Sequence, residues 1–108
     1  MSLPPRLLDP PFNITRASHV VLDVRDLAAS LRFYSEVLGL VVTLETDDVL
    51  YLRGVEEACH HSLVLRRSSG PAVCQRVGLR VLTERDLEKA HAELSGRGCT
   101  VDWAEIPH

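Results

Sequence analysis

Hydrophobic and polar positions follow two periods along the chain, and each change of period marks a new element. Apolar residues dominate residues 16–25, which predicts a strand with at least one buried face. Asp26 then fits a helix N-cap, and a helical apolar stripe follows it. The stripe consists of Leu27, Leu31, Tyr34 and Leu38. Phe33 and Val37 are expected to widen it, and Gly39 fits the left-handed residue that ends a helix.

Three more strands are predicted after this helix. They span residues 40–45, 49–53 and 60–66, and the short turn between the first two predicts a hairpin. The stretch 54–59 is a loop in which Glu56 and Glu57 are expected to be solvated. A polar segment with serine, glycine and proline follows and is the clearest internal boundary.

The pattern then begins again, which indicates an internal repeat. Residues 77–82 predict a strand, Thr83 and Asp86 fit a capping box, and a second helical stripe ends at glycines. Residues 99–103 predict one further strand. The chain is therefore divided into an extended arm (1–15), a first βαβββ module (16–67), a linker (68–75) and a partial second module, β-α-β (76–108). We expect either a fragment of a longer protein or a sheet that another copy completes.

Composition limits the possible functions. The chain has 108 residues, enough for one domain, and a formal net charge of -3 without a long run of either sign. Nucleic acid is therefore not expected as a partner, and no apolar run is long enough to predict a membrane span. The three cysteines lack any paired spacing and predict reduced thiols and a cytoplasmic location; they are Cys59, Cys74 and Cys99.

Residues 19–24, 26–27 and 33–40 together resemble the vicinal oxygen chelate superfamily, which includes glyoxalase I, bleomycin-resistance proteins and extradiol ring-cleaving dioxygenases. Residues 51–57 and 60–65 are similar to the N-terminal domain of type I extradiol dioxygenases, the catechol and homoprotocatechuate 2,3-dioxygenase group. The resemblance implies an α+β fold of paired βαβββ modules, the second incomplete here. It also implies a parent enzyme that cleaves a catechol-type aromatic with O2, using Fe(II) or Mn(II) in its C-terminal domain.

The resemblance also says where metal ligands belong, at the head of the first strand and in the last strand of each module. His19 fits the first position, but Val64 lies near the place of a carboxylate, and Arg76 takes the place of a second histidine. A guanidinium has no lone pair to donate, and one histidine does not make a site. His19 is therefore expected to be structural, with metal ligation as the alternative, and this chain is expected to bind no metal.

The other histidines are weaker candidates for metal ligands. His60 and His61 are predicted to be neighbours on a strand, so they should point to opposite faces and not share one ion. His91 is expected on a helix surface or against the sheet, and His108 is terminal. No catalytic residue is predicted in this chain.

The resemblance thus implies the non-catalytic N-terminal domain of an extradiol dioxygenase, inactive alone, in a protein that forms homo-oligomers by sheet completion or module exchange. Two alternatives stay open. One is a glyoxalase-type metalloenzyme whose site is shared between chains. The other is a metal-free protein that binds an aromatic ligand, as bleomycin-resistance proteins do.

Overall fold

A computed structural model describes residues 2–5 and 9–105, and in these residues five strands and two helices are present. The strands are β1 (Ile14–Val24), β2 (Val41–Glu45), β3 (Val49–Arg53), β4 (Leu63–Arg67) and β5 (Val73–Val81). The helices are α1 (Leu27–Arg32), which continues into a π-helical turn (Phe33–Val37), and α2 (Glu84–Gly96). The chain divides into two compact units. The larger runs from Ala17 to Leu79, and the smaller joins the N-terminal residues up to Arg16 to those from Arg80 onward.

The strands form one sheet in the order β2-β3-β4-β1-β5. β1 pairs in parallel with β4, with Val20 opposite Leu63 and Val21 opposite Val64. β2 and β3 are antiparallel, as are β3 and β4. The predicted first βαβββ module is thereby confirmed, because its last strand returns beside its first.

The core of the larger unit lies between α1 and one face of this sheet. Five leucines are buried there: Leu27, Leu50, Leu52, Leu63 and Leu65. Burial of one such side chain contributes about 1.5–3 kcal/mol to folding. Val20, Leu22 and Val24 of β1 pack against the same cluster. Because successive strand residues alternate between faces, His19, Val21 and Asp23 lie on the opposite face, away from α1.

The first helix differs from the prediction in its second half. Asp26 caps it as predicted, since its Oδ1 accepts from the backbone N–H of Ala29 at 2.9 Å. The regular helix ends at Arg32, and the following turn is π-helical, with the N–H of Leu38 donating to the carbonyl of Phe33 at 3.1 Å. Gly39 then has a φ of 75°, the left-handed conformation expected of it.

Three predicted core contacts at the end of this helix are wrong, and the wider turn accounts for those at its C-terminal end. Phe33 and Val37 were expected to widen the buried stripe, but they are 47% and 69% exposed, and Leu38 is exposed as well. The extra residue in a π-turn rotates the side chains that follow it around the helix axis relative to an α-helix. Tyr34 stays packed against the leucine cluster.

The second helix begins as predicted. The Oγ1 of Thr83 accepts from the N–H of Asp86 at 3.1 Å and donates to the Asp86 carboxylate at 2.8 Å. That carboxylate also accepts from the backbone N–H of Asn13 at 3.0 Å. These hydrogen bonds lower the pKa of Asp86, since they favour its ionised form. Gly98 has a φ of 90°, so both helices of the repeat are followed by a left-handed glycine.

One predicted strand is absent and three strands begin at least two residues away from their predicted starts, among them β5, which starts at Val73 inside the predicted linker. The expected strand at residues 99–103 is absent, because no strand of the described chain lies beside it to complete a backbone hydrogen-bond ladder. The strand expected from residue 60 begins only at Leu63, so His60 and His61 lie in the preceding loop. At the N-terminus, β1 already begins at Ile14, inside the predicted arm; residues 1 and 6–8 of that arm and residues 106–108 lie outside the described residues.

No helix within the described residues is long and apolar enough to cross a membrane.

Candidate functional site around His19

The imidazole of His19 lies against the backbone of Gly78 on β5. A Cβ atom placed on Gly78 would lie only 2.5 Å from Nδ1 of His19 and 3.0 Å from its Nε2. The ring therefore occupies the space that any larger residue at 78 would need. On its other side it meets the ring of His61, edge to face, with the centroids 5.6 Å apart. His19 is thus held between a neighbouring strand and a loop.

The two ring nitrogens of His19 have different surroundings. Nδ1 lies 3.3 Å from the hydroxyl of Ser18, whereas Nε2 is buried and has no hydrogen-bond partner in the described chain. Burial lowers the pKa of His19, and the positive charge of Arg76 lowers it further. The imidazole is therefore held toward its neutral form, which is the form a metal ligand needs.

The rest of the donor set does not fit a metal. Val64 is paired with Val21, two residues along β1 from His19, and its side chain offers no donor atom. Arg76 brings a positive charge to the same region, which opposes a divalent cation. Across residues 2–5 and 9–105, no three His, Cys, Asp or Glu side chains are arranged to hold a metal ion. The residues present therefore supply one imidazole in place of the facial triad that the resemblance implies for the parent.

Asp23 is a buried carboxylate on the same face, only 6% exposed. Its Oδ1 lies 3.2 Å from Nε of Arg66, its cross-strand partner, and its Oδ2 accepts from the side-chain amide of Gln75 at 2.6 Å. No role was predicted for Asp23, although a charged residue within an apolar strand is a signal of one. Oδ1 is buried and, within the described residues, has the ion pair but no hydrogen bond, whereas Oδ2 has the hydrogen bond from Gln75. Asp23 therefore ties β1 to β4 and β5.

The loop before β4 gathers several polar residues that were expected to act separately. His60 and His61 do not lie on opposite faces of a strand as predicted, and their Nδ1 atoms are 2.9 Å apart. Both rings also meet the ring of Tyr51 edge to face, at 5.7 and 5.1 Å. A hydrogen bond between two imidazoles needs one ring nitrogen as donor and the other as acceptor.

Glu57 was expected to be solvated, and that expectation is wrong. Its Oε1 accepts from the backbone N–H of Gly54 at 2.8 Å and from the hydroxyl of Ser62 at 2.7 Å. Its backbone carbonyl accepts from the guanidinium of Arg53. Glu57 therefore fixes the connection between β3 and β4. Glu56 is exposed, as predicted.

Other predicted candidates lie elsewhere. His91 is on α2, and its ring stacks on the indole of Trp103 with the centroids 4.8 Å apart and the planes nearly parallel. This pair borders an apolar cavity of about 290 Å³ within the smaller unit. All three cysteines are free thiols, and Cys59 is the least exposed of them. The thiol of Cys59 lies 3.4 Å from Oε2 of Glu57, a carboxylate that already holds the loop before β4 together.

Comparison with known proteins gives a consistent result. Residues 16–105 match the model of the Glyoxalase/Bleomycin resistance protein/Dioxygenase superfamily. The chain is 30% identical over 97 residues to metapyrocatechase of Geobacillus stearothermophilus, covering 90% of this chain and 29% of that protein. It is 26% identical over 92 residues to the manganese-dependent 2,3-dihydroxybiphenyl 1,2-dioxygenase of Geobacillus genomosp. 3, covering 85% and 29%.

The fold matches solved structures at higher identity. In the complex of homoprotocatechuate 2,3-dioxygenase from Brevibacterium fuscum with 3,4-dihydroxyphenylacetate, the TM-score is 0.76 and the identity is 41%, over 89% of this chain and 30% of that one. The chain therefore spans less than a third of the relatives it matches. The predicted resemblance to extradiol dioxygenases is confirmed, and so is the α+β fold with a partial module set. The chain belongs to the glyoxalase, bleomycin resistance protein and dioxygenase superfamily.

Proposed function

We propose that these residues form the N-terminal, non-catalytic part of an extradiol dioxygenase that cleaves a catechol-type aromatic ring with O2. The observation that carries the proposal is the fold match at about two-fifths identity to homoprotocatechuate 2,3-dioxygenase. The names of the other relatives, a metapyrocatechase and a dihydroxybiphenyl dioxygenase, support the same substrate class.

The residues around His19 favour a non-catalytic role for this part of the protein. Val64 and Arg76 replace the carboxylate and the histidine that the resemblance calls for, so this face does not fit Fe(II) or Mn(II). We propose that the parent's metal, Fe(II) with Mn(II) as the alternative, is held by residues outside this chain. His19 then serves as packing between β1 and β5. The free cysteines support a reducing, cytoplasmic location.

The test compares the whole protein that contains these residues with residues 1–108 alone, both supplied with Fe(II). Oxygen uptake and the absorbance of the ring-cleavage product from 3,4-dihydroxyphenylacetate or catechol are measured. The whole protein should consume O2, and residues 1–108 should not. His19→Ala in the whole protein should keep its ring-cleavage rate within about threefold, since a side chain that only packs contributes little to the chemical step. Turnover by residues 1–108 would contradict the proposal.

One observation favours the alternative of metal-free aromatic binding. Trp103 is an exposed indole that stacks on His91 beside an apolar cavity, an arrangement able to hold a planar ring. Calorimetry with catechol-type and larger aromatics separates the two readings. Micromolar binding that Trp103→Ala abolishes would support the binding protein, whereas the dioxygenase reading predicts none. Stoichiometric metal in the purified chain would instead support a glyoxalase-type site shared between chains.

A further inference from the structure

The outer face of the first helix carries apolar side chains that the core does not use. Four exposed residues form this outer helix face: Arg32, Phe33, Glu36 and Val37. They are two pairs spaced four residues apart, so they lie as two adjacent rows along the helix and its π-turn. The core side of the same helix is covered by the leucine cluster, so these rows point away from it. Two large apolar side chains thus face outward, flanked by one charge of each sign.

The two charged residues of this face, Arg32 and Glu36, do not form an ion pair with each other in the described chain. They have the i, i+4 spacing that often produces one. The face is therefore neutral overall but polarised along the helix, with the positive charge at its N-terminal end. A strongly acidic or strongly basic partner would meet one attractive and one repulsive charge. A surface with the same pattern running in the opposite direction would meet two attractions.

We infer that the outer helix face is a docking surface for a second copy of this chain, packed antiparallel about a two-fold axis near Tyr34 and Ser35. A two-fold contact uses the same patch on both copies, so the patch must be self-complementary. In this arrangement Arg32 faces Glu36 of the second copy, twice. Phe33 packs on Val37 of the second copy, also twice. The helix rises about 6 Å between positions 32 and 36, so both ion pairs and both apolar contacts fit one crossing.

The size of the patch sets the expected affinity. Two apolar side chains from each copy and two ion pairs in all make a small interface, below about 1,200 Å² in total, which is typical of weak association. We expect a dissociation constant on the order of 10–100 μM. The ion pairs supply orientation more than affinity, because exposed pairs contribute little.

The test is charge reversal with rescue, made on the full 108-residue chain by sedimentation equilibrium over about 5–500 μM, a range that brackets the expected constant. Arg32→Glu places two like charges opposite each other, and so does Glu36→Arg, so each variant should weaken self-association about tenfold. In an equimolar mixture of the two variants every pair is again of opposite sign. The mixture should therefore form a heterodimer at least as well as the wild type forms its dimer.

The matched control is Lys89→Glu, a reversal on the exposed side of α2, which should leave association unchanged. Circular dichroism of each variant shows whether the fold is kept, and Phe33→Ala should remove association while keeping that spectrum. Three outcomes would overturn the inference: a wild-type chain that stays monomeric, single reversals without effect, or a mixture that does not associate. Failure here leaves the proposed dioxygenase role standing, because that role is read from ring cleavage.

Discussion

At the scale of single residues, His19 shows how one side chain can satisfy two readings of a sequence. Sequence patterns placed it at the head of the first strand, where the resemblance puts a ligand, but β1 begins at Ile14 and His19 lies in its middle. Its ring is held toward the neutral form, which is chemically able to bind a metal. The surrounding donors do not fit a metal, because neither Val64 nor Arg76 offers a lone pair at the other two positions. His19 fills the space above Gly78 as an aromatic ring often covers a glycine in a neighbouring strand.

The contact between His19 and Gly78 predicts a strong coupling. Gly78→Ala should lower the free energy of unfolding by about 2 kcal/mol, because the new methyl group overlaps the imidazole. In the double variant with His19→Ala the overlap is gone, so the loss should be smaller than the sum of the single losses by about 1 kcal/mol or more. Urea unfolding of the four proteins measures this cycle.

Gly96→Ala is the control for that cycle, since nothing lies within 4 Å of a Cβ placed there. It should leave stability unchanged or raise it by about 0.5–1 kcal/mol, because alanine restricts the unfolded chain. Additive losses at positions 19 and 78 would contradict the packing role of His19.

The depressed pKa of His19 predicts a pH dependence of stability. Its pKa is about 6.5 in the unfolded chain and lower in the folded one, so the unfolded chain takes up the proton first as pH falls. The free energy of unfolding should therefore decline below about pH 6.5 and level off once the folded form is protonated. His19→Gln should remove this share, so the difference between the two proteins should shrink from pH 7.5 to pH 5.5.

Arg76→Gln tests the second cause. An imidazole freed from that positive charge should titrate at a higher pH, which a nuclear magnetic resonance titration of the ring protons resolves. An unchanged titration would show that burial alone sets the pKa.

At the scale of elements, sequence patterns predicted what is local and missed what depends on neighbours. Asp26 and Thr83 were predicted as caps because a cap needs only the next three residues. The π-turn was missed, since its apolar residues keep helical spacing while their hydrogen bonds do not. The strand expected at 99–103 is not formed, because no neighbouring strand of the described chain pairs with it. A local sequence pattern carries no information about such a neighbour.

The candidate site divides in the same way. The absence of donors at Val64 and Arg76 could be predicted, because the resemblance places ligands at those positions of the sequence. The packing of His19 against Gly78 could not be predicted, because it depends on the pairing of β1 with β5 in the sheet. The hydrogen bonds of Glu57 could not be predicted either, because they depend on the conformation of the loop between β3 and β4.

That loop predicts a sharp difference between two adjacent glutamates. Glu57→Ala should lower the free energy of unfolding by about 1–3 kcal/mol, because it leaves the N–H of Gly54 and the hydroxyl of Ser62 without their acceptor. Glu56→Ala should change it by less than about 0.5 kcal/mol, since that side chain is exposed. Chemical denaturation measures both, and equal effects would contradict the assigned role of Glu57.

At the scale of the whole molecule, the two halves of the repeat differ in how far their helices are buried against strands. Leu27 of α1 is 7% exposed, whereas Leu87, which aligns with it on α2, is 47% exposed. The first helix has β3 and β4 to pack on, and the second has no equivalent strands in the described chain. This agrees with a chain that spans less than a third of its relatives.

This asymmetry predicts uneven protection from hydrogen exchange. The amides of β4, a central strand with three buried residues in a row, should open only with an energy near that of global unfolding. The amides of α2 should exchange faster, as though opening required about 3 kcal/mol less. Exchange followed by mass spectrometry or nuclear magnetic resonance measures this, and equal protection would mean that both halves unfold together.

The close fit of His19 over Gly78 has a consequence for how other sequences of this superfamily are interpreted. A histidine at this position of the first strand says little by itself about metal, since it can be kept there by the space that its ring fills. The informative residue is the one that faces the histidine from the neighbouring strand, which here is Gly78 of β5. We expect a glycine opposite to mark histidines retained as fillers, and a bulkier residue opposite to mark rings that are free to face a metal. Two positions read together would thus sort members that bind metal through this strand from those that have lost the site.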